Sequence, residues 1–250
     1  RKRLPIVDQL PKPKGVRRTL PLREGVVPKP VYAVWEYTMA CDQACIHCGP
    51  RSATPRPDEL STEEALDVVD QLADLGVDEV TLIGGEAYLR NDFILVLRRI
   101  RERRMIASVT TGGYNLTRAR MEAMAEAGVM NVGISIDGME ASHDRVRNRP
   151  NSWKRAFAAM AEVRRAGVPV AVNSQINKLS MVELPAMADL LHEIGSKAWQ
   201  IQLTVAMGRA ADRPDLLLQP YDLLELSPVV PPYRLEPLGT EYGSLLASRF

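Results

Sequence analysis

From residue 31 to about residue 205 the chain repeats one pattern without a break: a short β-branched run, a turn, then a helical stripe with legible ends. That alternation, six times over, constrains the fold more than any composition figure. Strands separated by a helix are expected to run parallel, joined by right-handed crossovers. The pattern predicts strands over Val31–Met39, Glu79–Ile83, Ile106–Thr111, Asn131–Asp137, Pro169–Ile176 and Trp199–Val205. Between them, Ser61 and Glu64 form a capping box ahead of the stripe Leu66, Val69, Leu72 and Ala73, and Gly76 stops that helix. A second helix is expected over Asn91–Arg103. Thr117 caps a third, closed by Gly128, and Asn151 or Ser152 caps a fourth that runs to Ala166. A last one covers about Val182–Ile194. Met121, Met124 and Met160, at helical spacings, read as core filler.

Six units do not close an eight-stranded barrel, but they can curve into an open one. The expected class is α/β, an open (β/α)6 partial TIM barrel of parallel strands with a basic N-terminal arm. In such folds chemistry gathers at the carboxyl ends of the strands. Functional motifs are therefore expected just after residues 39, 83, 111, 137, 176 and 205.

Charge divides the chain further. Residues 1–30 carry nine Lys/Arg against two Asp/Glu and are broken by six prolines, which predicts a solvated basic arm or a docking arm for an acidic partner. Residues 31–209 form the expected core, and 210–250 a Pro-rich tail whose one helical fragment lies around Tyr221–Leu226. The net charge of +1 gives no global argument for nucleic acid, and no apolar run approaches the roughly 18 residues a membrane span needs. Three cysteines in an eight-residue window make a poor disulfide framework and point to a reducing, cytoplasmic setting.

Those cysteines, Cys41, Cys45 and Cys48, follow the first strand in the run CDQACIHC. A closed zinc site needs four ligands, and no second cysteine pair exists. A redox C-x-x-C would use Cys45 and Cys48 and leave Cys41 without a role. Three thiolates on one loop match the anchoring of three irons of a cubane cluster, with the fourth iron open. Gly84-Gly85-Glu86 follows the second strand. Its glycines permit close backbone approach to a ligand and Glu86 offers a carboxylate to an ammonium group, although such a triplet alone is equally a turn with a solvent-facing Glu.

The C-x3-C-x2-C loop after the first strand of such a barrel resembles the radical S-adenosylmethionine (radical SAM) enzymes, over about residues 31–209. The resemblance implies a [4Fe-4S] cluster on Cys41, Cys45 and Cys48. It also implies S-adenosylmethionine on the open iron, reductively cleaved to a 5′-deoxyadenosyl radical that abstracts hydrogen from a C–H bond. Gly84, Gly85 and Glu86 would hold the methionine amino group. The run Ser135-Ile136-Asp137-Gly138, followed by His143-Asp144-Arg145-Val146-Arg147, resembles the S-x-D-G … H-D-x-x-R segment of the peptide- and protein-maturing branch with SPASM or twitch extensions. It implies Ser135 on the ribose and Arg147 on the cofactor carboxylate. Asp137 is either part of that site or a turn-former, and His143 reads as a local cap or loop residue. His47 stands where the family usually has an aromatic and would lie near adenine. Asn173 and Gln175 on the fifth strand, and Gln200, Gln202 and Thr204 on one face of the sixth, are further candidates. Gly208-Arg209 follows that strand.

No cysteine follows Cys48, unlike the pattern of that branch, so the Pro-rich end suggests a truncated C-terminal extension. The expected reaction is hydrogen abstraction from a peptide side chain or Cα, giving a crosslink or an epimer, with a peptide or protein partner and an external one-electron donor. Alternatives are a small-molecule substrate such as a tetrapyrrole or nucleoside, and a non-catalytic cluster- or peptide-binding barrel.

Overall fold

The computed structural model describes residues 29–223 and the short strands 235–237 and 245–247. Six parallel strands stand side by side in chain order: β1 (Tyr32–Thr38), β2 (Glu79–Gly84), β3 (Ile106–Thr111), β4 (Asn131–Ser135), β5 (Val170–Ile176) and β6 (Ala198–Leu203). β1 and β6 do not pair, so the barrel is open as expected. Two short strands, β7 (Leu235–Pro237) and β8 (Leu245–Ala247), extend the β6 edge antiparallel. The tail therefore contributes strand where only a helical fragment around Tyr221–Leu226 was expected, and that fragment lies partly outside the described residues. The basic arm, apart from Lys29 and Pro30, also lies outside them.

The helices are α1 (Thr62–Asp74), α2 (Phe93–Glu102), α3 (Arg118–Glu126), α4 (Glu140–Arg147), α5 (Ser152–Arg165) and α6 (Leu184–Glu193). Ser61 and Glu64 make the full capping box of α1, and Thr117 accepts from the Arg120 N–H at the start of α3. Two expectations change. α4 is an additional helix between β4 and α5. And α5 is not capped by Asn151 or Ser152 but by Asp144 of α4, whose carboxylate accepts from the Asn151 N–H (2.7 Å), the Trp153 N–H (2.8 Å) and the Ser152 hydroxyl (2.8 Å).

Alternation within the strands separates two environments. Val80, Leu82, Ala107, Val109, Val132, Ile134 and Val172 face the helices and are at most 1% exposed. They pack with Val96, Leu97, Ile100, Met121, Met124 and Met160 into one core. The opposite face carries Thr81, Ser108, Thr110, Asn173, Gln175, Gln200 and Gln202, all lining an interior cavity. Strands of a closed parallel sheet, buried on both faces, are apolar on both. These carry polar residues on one, among apolar ones such as Val34, Ile83 and Ala171, because that face lines open space. Among the described residues no helix is long and apolar enough to cross a membrane.

Candidate active site

The chain leaves β1 at Thr38 and enters the cysteine loop. Glu59 fixes the entry by accepting from the Thr38 hydroxyl (2.9 Å) and the Met39 N–H (2.7 Å). The loop closes on itself through Cys41 N–H to the Ala53 carbonyl and Ala53 N–H to the Met39 carbonyl, both 3.0 Å. Its middle is tied to α4 by Ile46 N–H to the Val146 carbonyl (2.9 Å). Cys45 is buried and Cys41 and Cys48 are half-buried, all as free thiols. Each sulfur receives a donor: the Gln43 N–H on Cys41 (3.4 Å), the Ser52 N–H on Cys48 (3.4 Å), and the Arg147 guanidinium on Cys45 (3.8 Å).

Burial, with the carboxylate of Glu86 nearby, pushes the Cys41 thiol up to about 12. Burial also raises Cys45, against the pull of Arg147. As free groups these two sulfurs are held as thiols, while their donors suit thiolates, the form a metal takes. Among the described residues, the one group of three ligating residues whose donor atoms all lie within 4.8 Å of one another is Cys41, Asp42 and Glu86. The three sulfurs do not form such a trio, and both of its carboxylates have other partners. Three cysteines without a fourth dedicated ligand fit a cluster with one open iron better than a closed zinc site.

Glu86 is 3% exposed, beyond β2. It accepts from the Thr111 hydroxyl and the Gly112 N–H (2.7 Å), at the end of β3. Burial pushes its carboxyl up to about 8, against the Thr111 hydrogen bond. The solvent-facing alternative is thereby excluded. The glycines ahead of it also make a backbone contact that was not expected. Cβ atoms at Gly84 and Gly85 would overlap the carbonyl oxygens of Thr38 and Ala40, so the glycines let β2 close on the end of β1. The Gly85 and Glu86 N–H groups donate to those same carbonyls, at 2.7 Å each.

Asp137 lies two residues past β4 and is fully buried. Its carboxylate meets the Arg147 guanidinium at 2.7 Å and His47 Nε2 at 3.1 Å, and accepts from the Gln175 N–H at 2.9 Å. Burial opposes its charge, but Arg147 and then His47 outweigh that and hold the carboxyl below its ordinary range. Burial likewise opposes the charge on Arg147, yet Asp137 outweighs it and holds the guanidinium charged. The turn-former reading of Asp137 thus gives way to an ionic link between the cysteine loop, β4 and α4. His143 is buried inside α4, not a loop residue. Its Nδ1 accepts from the Asp137 N–H (3.1 Å), and burial, aided by Arg147, lowers it to about 4.

The three cysteines, His47, Gly84, Gly85, Glu86, Ser135, Asp137, Arg147, Asn173 and Gln175 all line one cavity of about 1140 Å³. Thr204 does not. It follows the last residue of β6, is buried, and its N–H donates to the Ile176 carbonyl (2.9 Å). Gln43, His47 and Arg147 each keep a buried nitrogen without a partner on that wall, as a site built for a polar ligand would. Gln43, Thr111 and Gly112 were missed from sequence. The strand-end rule pointed to residue 111, but no side-chain motif marks it.

Residues 35–192 match the sequence model of the Radical SAM superfamily. The chain is 30% identical over 195 residues, 77% of its length and 56% of the relative's, to an AdoMet-dependent heme synthase of Methanosarcina barkeri. It is 32% identical over 216 residues, 85% of its length and 56% of the relative's, to a PqqA peptide cyclase of Rhizobium meliloti. It thus spans about half the length of the curated relatives it matches. By fold it resembles Streptococcus suis SuiB bound to precursor peptide SuiA, with a TM-score of 0.69, 17% identity, and coverage of 80% of this chain and 45% of that one. The cysteine loop, the buried Glu86 and the ion pair of Asp137 all fall inside the matched region, and on that footing this chain belongs to the radical SAM superfamily.

Proposed function

We propose that this chain is the catalytic barrel of a radical SAM enzyme that modifies a peptide, abstracting hydrogen from a side chain or Cα. When bound, the [4Fe-4S] cluster and S-adenosylmethionine supply reductive cleavage to a 5′-deoxyadenosyl radical, drawing on an external one-electron donor. Cys41, Cys45 and Cys48 hold the cluster. Glu86, already fixed by Thr111 and Gly112, receives the amino group of the cofactor, whose positive charge favours the carboxylate form. Ser135 faces the ribose, and the unpartnered Arg147 Nε is a donor for the cofactor carboxylate. His47, oriented by Asp137, stands beside the base, with Asn173 and Gln175 as further wall donors. A reducing cytoplasmic setting suits three free thiols.

The observation that favours a peptide is the chemistry of the wall. Beyond the cysteines it offers carboxamides and hydroxyls from Ser108, Thr110, Asn131, Asn173, Gln200 and Gln202. Such groups pair with backbone N–H and C=O. A tetrapyrrole brings several carboxylates and calls for cations. The Lys and Arg residues of the described wall are Arg147, paired with Asp137, and Lys197, next to the amino end of β6. Heme synthases among the relatives keep the second reading in view. The test is 5′-deoxyadenosine formation by the reduced, reconstituted protein, with a pool of unstructured peptides or with a coproporphyrin. Stimulation by the peptides supports the reading, and stimulation by the coproporphyrin alone overturns it.

A further inference from the structure

Arg209 lies outside the segment the family model matches, seven residues beyond Gln202, the last cavity-lining position of β6, and far in sequence from the cysteines. It nevertheless spends every donor that finds a partner on their loop. Its N–H donates to the Cys48 carbonyl (2.9 Å) and Nε to the Cys45 carbonyl (2.7 Å). Nη1 and Nη2 both reach the Ser52 carbonyl (3.2 Å each). One half-buried side chain thus joins the middle of the loop to its exit, two points seven residues apart.

The neighbouring backbone is shaped to the same contact. Gly208 has φ +56°, and a Cβ there would overlap the carbonyl oxygens of Gly49 and Cys48. The loop also grips back: Arg51 donates to the Gly208 carbonyl (2.9 Å) and pairs with Asp212 (2.7 Å). Two guanidinium groups therefore cross between the same two segments in opposite directions. Cys41 lies outside this clasp and is held by the Ala53 pairing instead.

We infer that Arg209 is a positioning residue that clasps the cysteine loop to the end of β6, holding Cys45 and Cys48 where a cluster takes them up. The planar fork matters because it serves two carbonyls at once, and a lysine ammonium has no such geometry. The inference rests on the cluster reading for its purpose, but the clasp itself is measurable without a cluster.

The experiment compares wild type, Arg209→Ala and Arg209→Lys in two states. In the apoprotein, iodoacetamide labelling read by peptide mass spectrometry gives a rate for each cysteine. In Arg209→Ala, Cys45 and Cys48 should label at least about ten-fold faster while Cys41 keeps its rate, with Arg209→Lys between the two. In the iron-loaded protein, release of iron to a chelator should follow the same order. A general loss of stability would speed all three cysteines together, and that result overturns the clasp, as do unchanged rates. Should Arg209→Ala not fold, Arg209→Lys decides alone: faster Cys45 and Cys48 labelling supports the inference, and wild-type rates overturn it. Failure of wild type to take up iron would sink the cluster reading, and the labelling rates would still decide the clasp.

Discussion

At Glu86 the barrel buries a carboxyl group between two hydrogen-bond donors, with no ion pair among the described residues. Its folded pKa of about 8 lies above the unfolded value, so the apoprotein binds a proton there that the unfolded chain releases. Stability from this group is present at low pH and is lost as pH rises from about 5 towards 8, by up to about 1.4 kcal/mol per pH unit. Glu86→Gln removes that dependence. Denaturant melts of the two apoproteins should show the variant gaining on wild type as pH rises across this range, and parallel curves would contradict the burial of an acidic Glu86. The same variant should bind S-adenosylmethionine more weakly while keeping its iron. Asp137 behaves in the opposite way, because its charge is matched. Asp137→Ala strands Arg147 without its carboxylate partner and should cost about 3–5 kcal/mol in chemical denaturation. A loss below 1 kcal/mol would show that the pair holds nothing. That the cysteines and Glu86 gather at one cavity was legible in sequence because they directly follow the first two strands. The target of Gly84 and Gly85 was not, since a glycine pair says that something comes close but not what.

Among the elements, legibility followed local signals. The capping box of α1 and the Thr117 cap of α3 are written within four residues, and both form. α4 was missed because it has only eight residues and no capping side chain at Met139. Its start is satisfied from afar by Glu183, which accepts from the Met139 N–H (2.8 Å) and the Ser142 hydroxyl (2.7 Å). Only His143 and Val146 face inward from it, too few to write a stripe. The cap of α5 failed for a related reason. Asn151 adopts a left-handed conformation, φ 63°, and the acceptor for its N–H comes from the preceding helix. Asp144→Ala should therefore destabilise the protein by about 1–2 kcal/mol in a thermal or urea melt, the range for losing an N-cap acceptor. Asn151→Gly, which keeps the left-handed turn open, should change stability by only a few tenths of a kcal/mol. Equal losses from the two would restore Asn151 as the cap. Thr204 was misplaced because the period of two was extended past Leu203, where β6 stops.

For the molecule as a whole, six strands in chain order, apolar towards the helices and partly polar towards the cavity, bring four strand ends to one mouth. The cysteine loop follows β1, Glu86 follows β2, Thr111 and Gly112 close β3, and Asp137 follows β4. The alternation made the barrel, and the strand ends at which these residues gather, legible before any side chain was placed. The strands that extend the β6 edge were not, because the Pro-rich tail hides two three-residue segments. The central claim is that the three thiols hold a [4Fe-4S] cluster with one iron open to S-adenosylmethionine. It is tested most directly by electron paramagnetic resonance of the anaerobically reconstituted, reduced protein before and after S-adenosylmethionine is added. The account predicts a reduced-cluster signal that changes shape on addition, and its absence from Cys45→Ala. A wild-type signal that ignores the cofactor, or one that survives in Cys45→Ala unaltered, would contradict it.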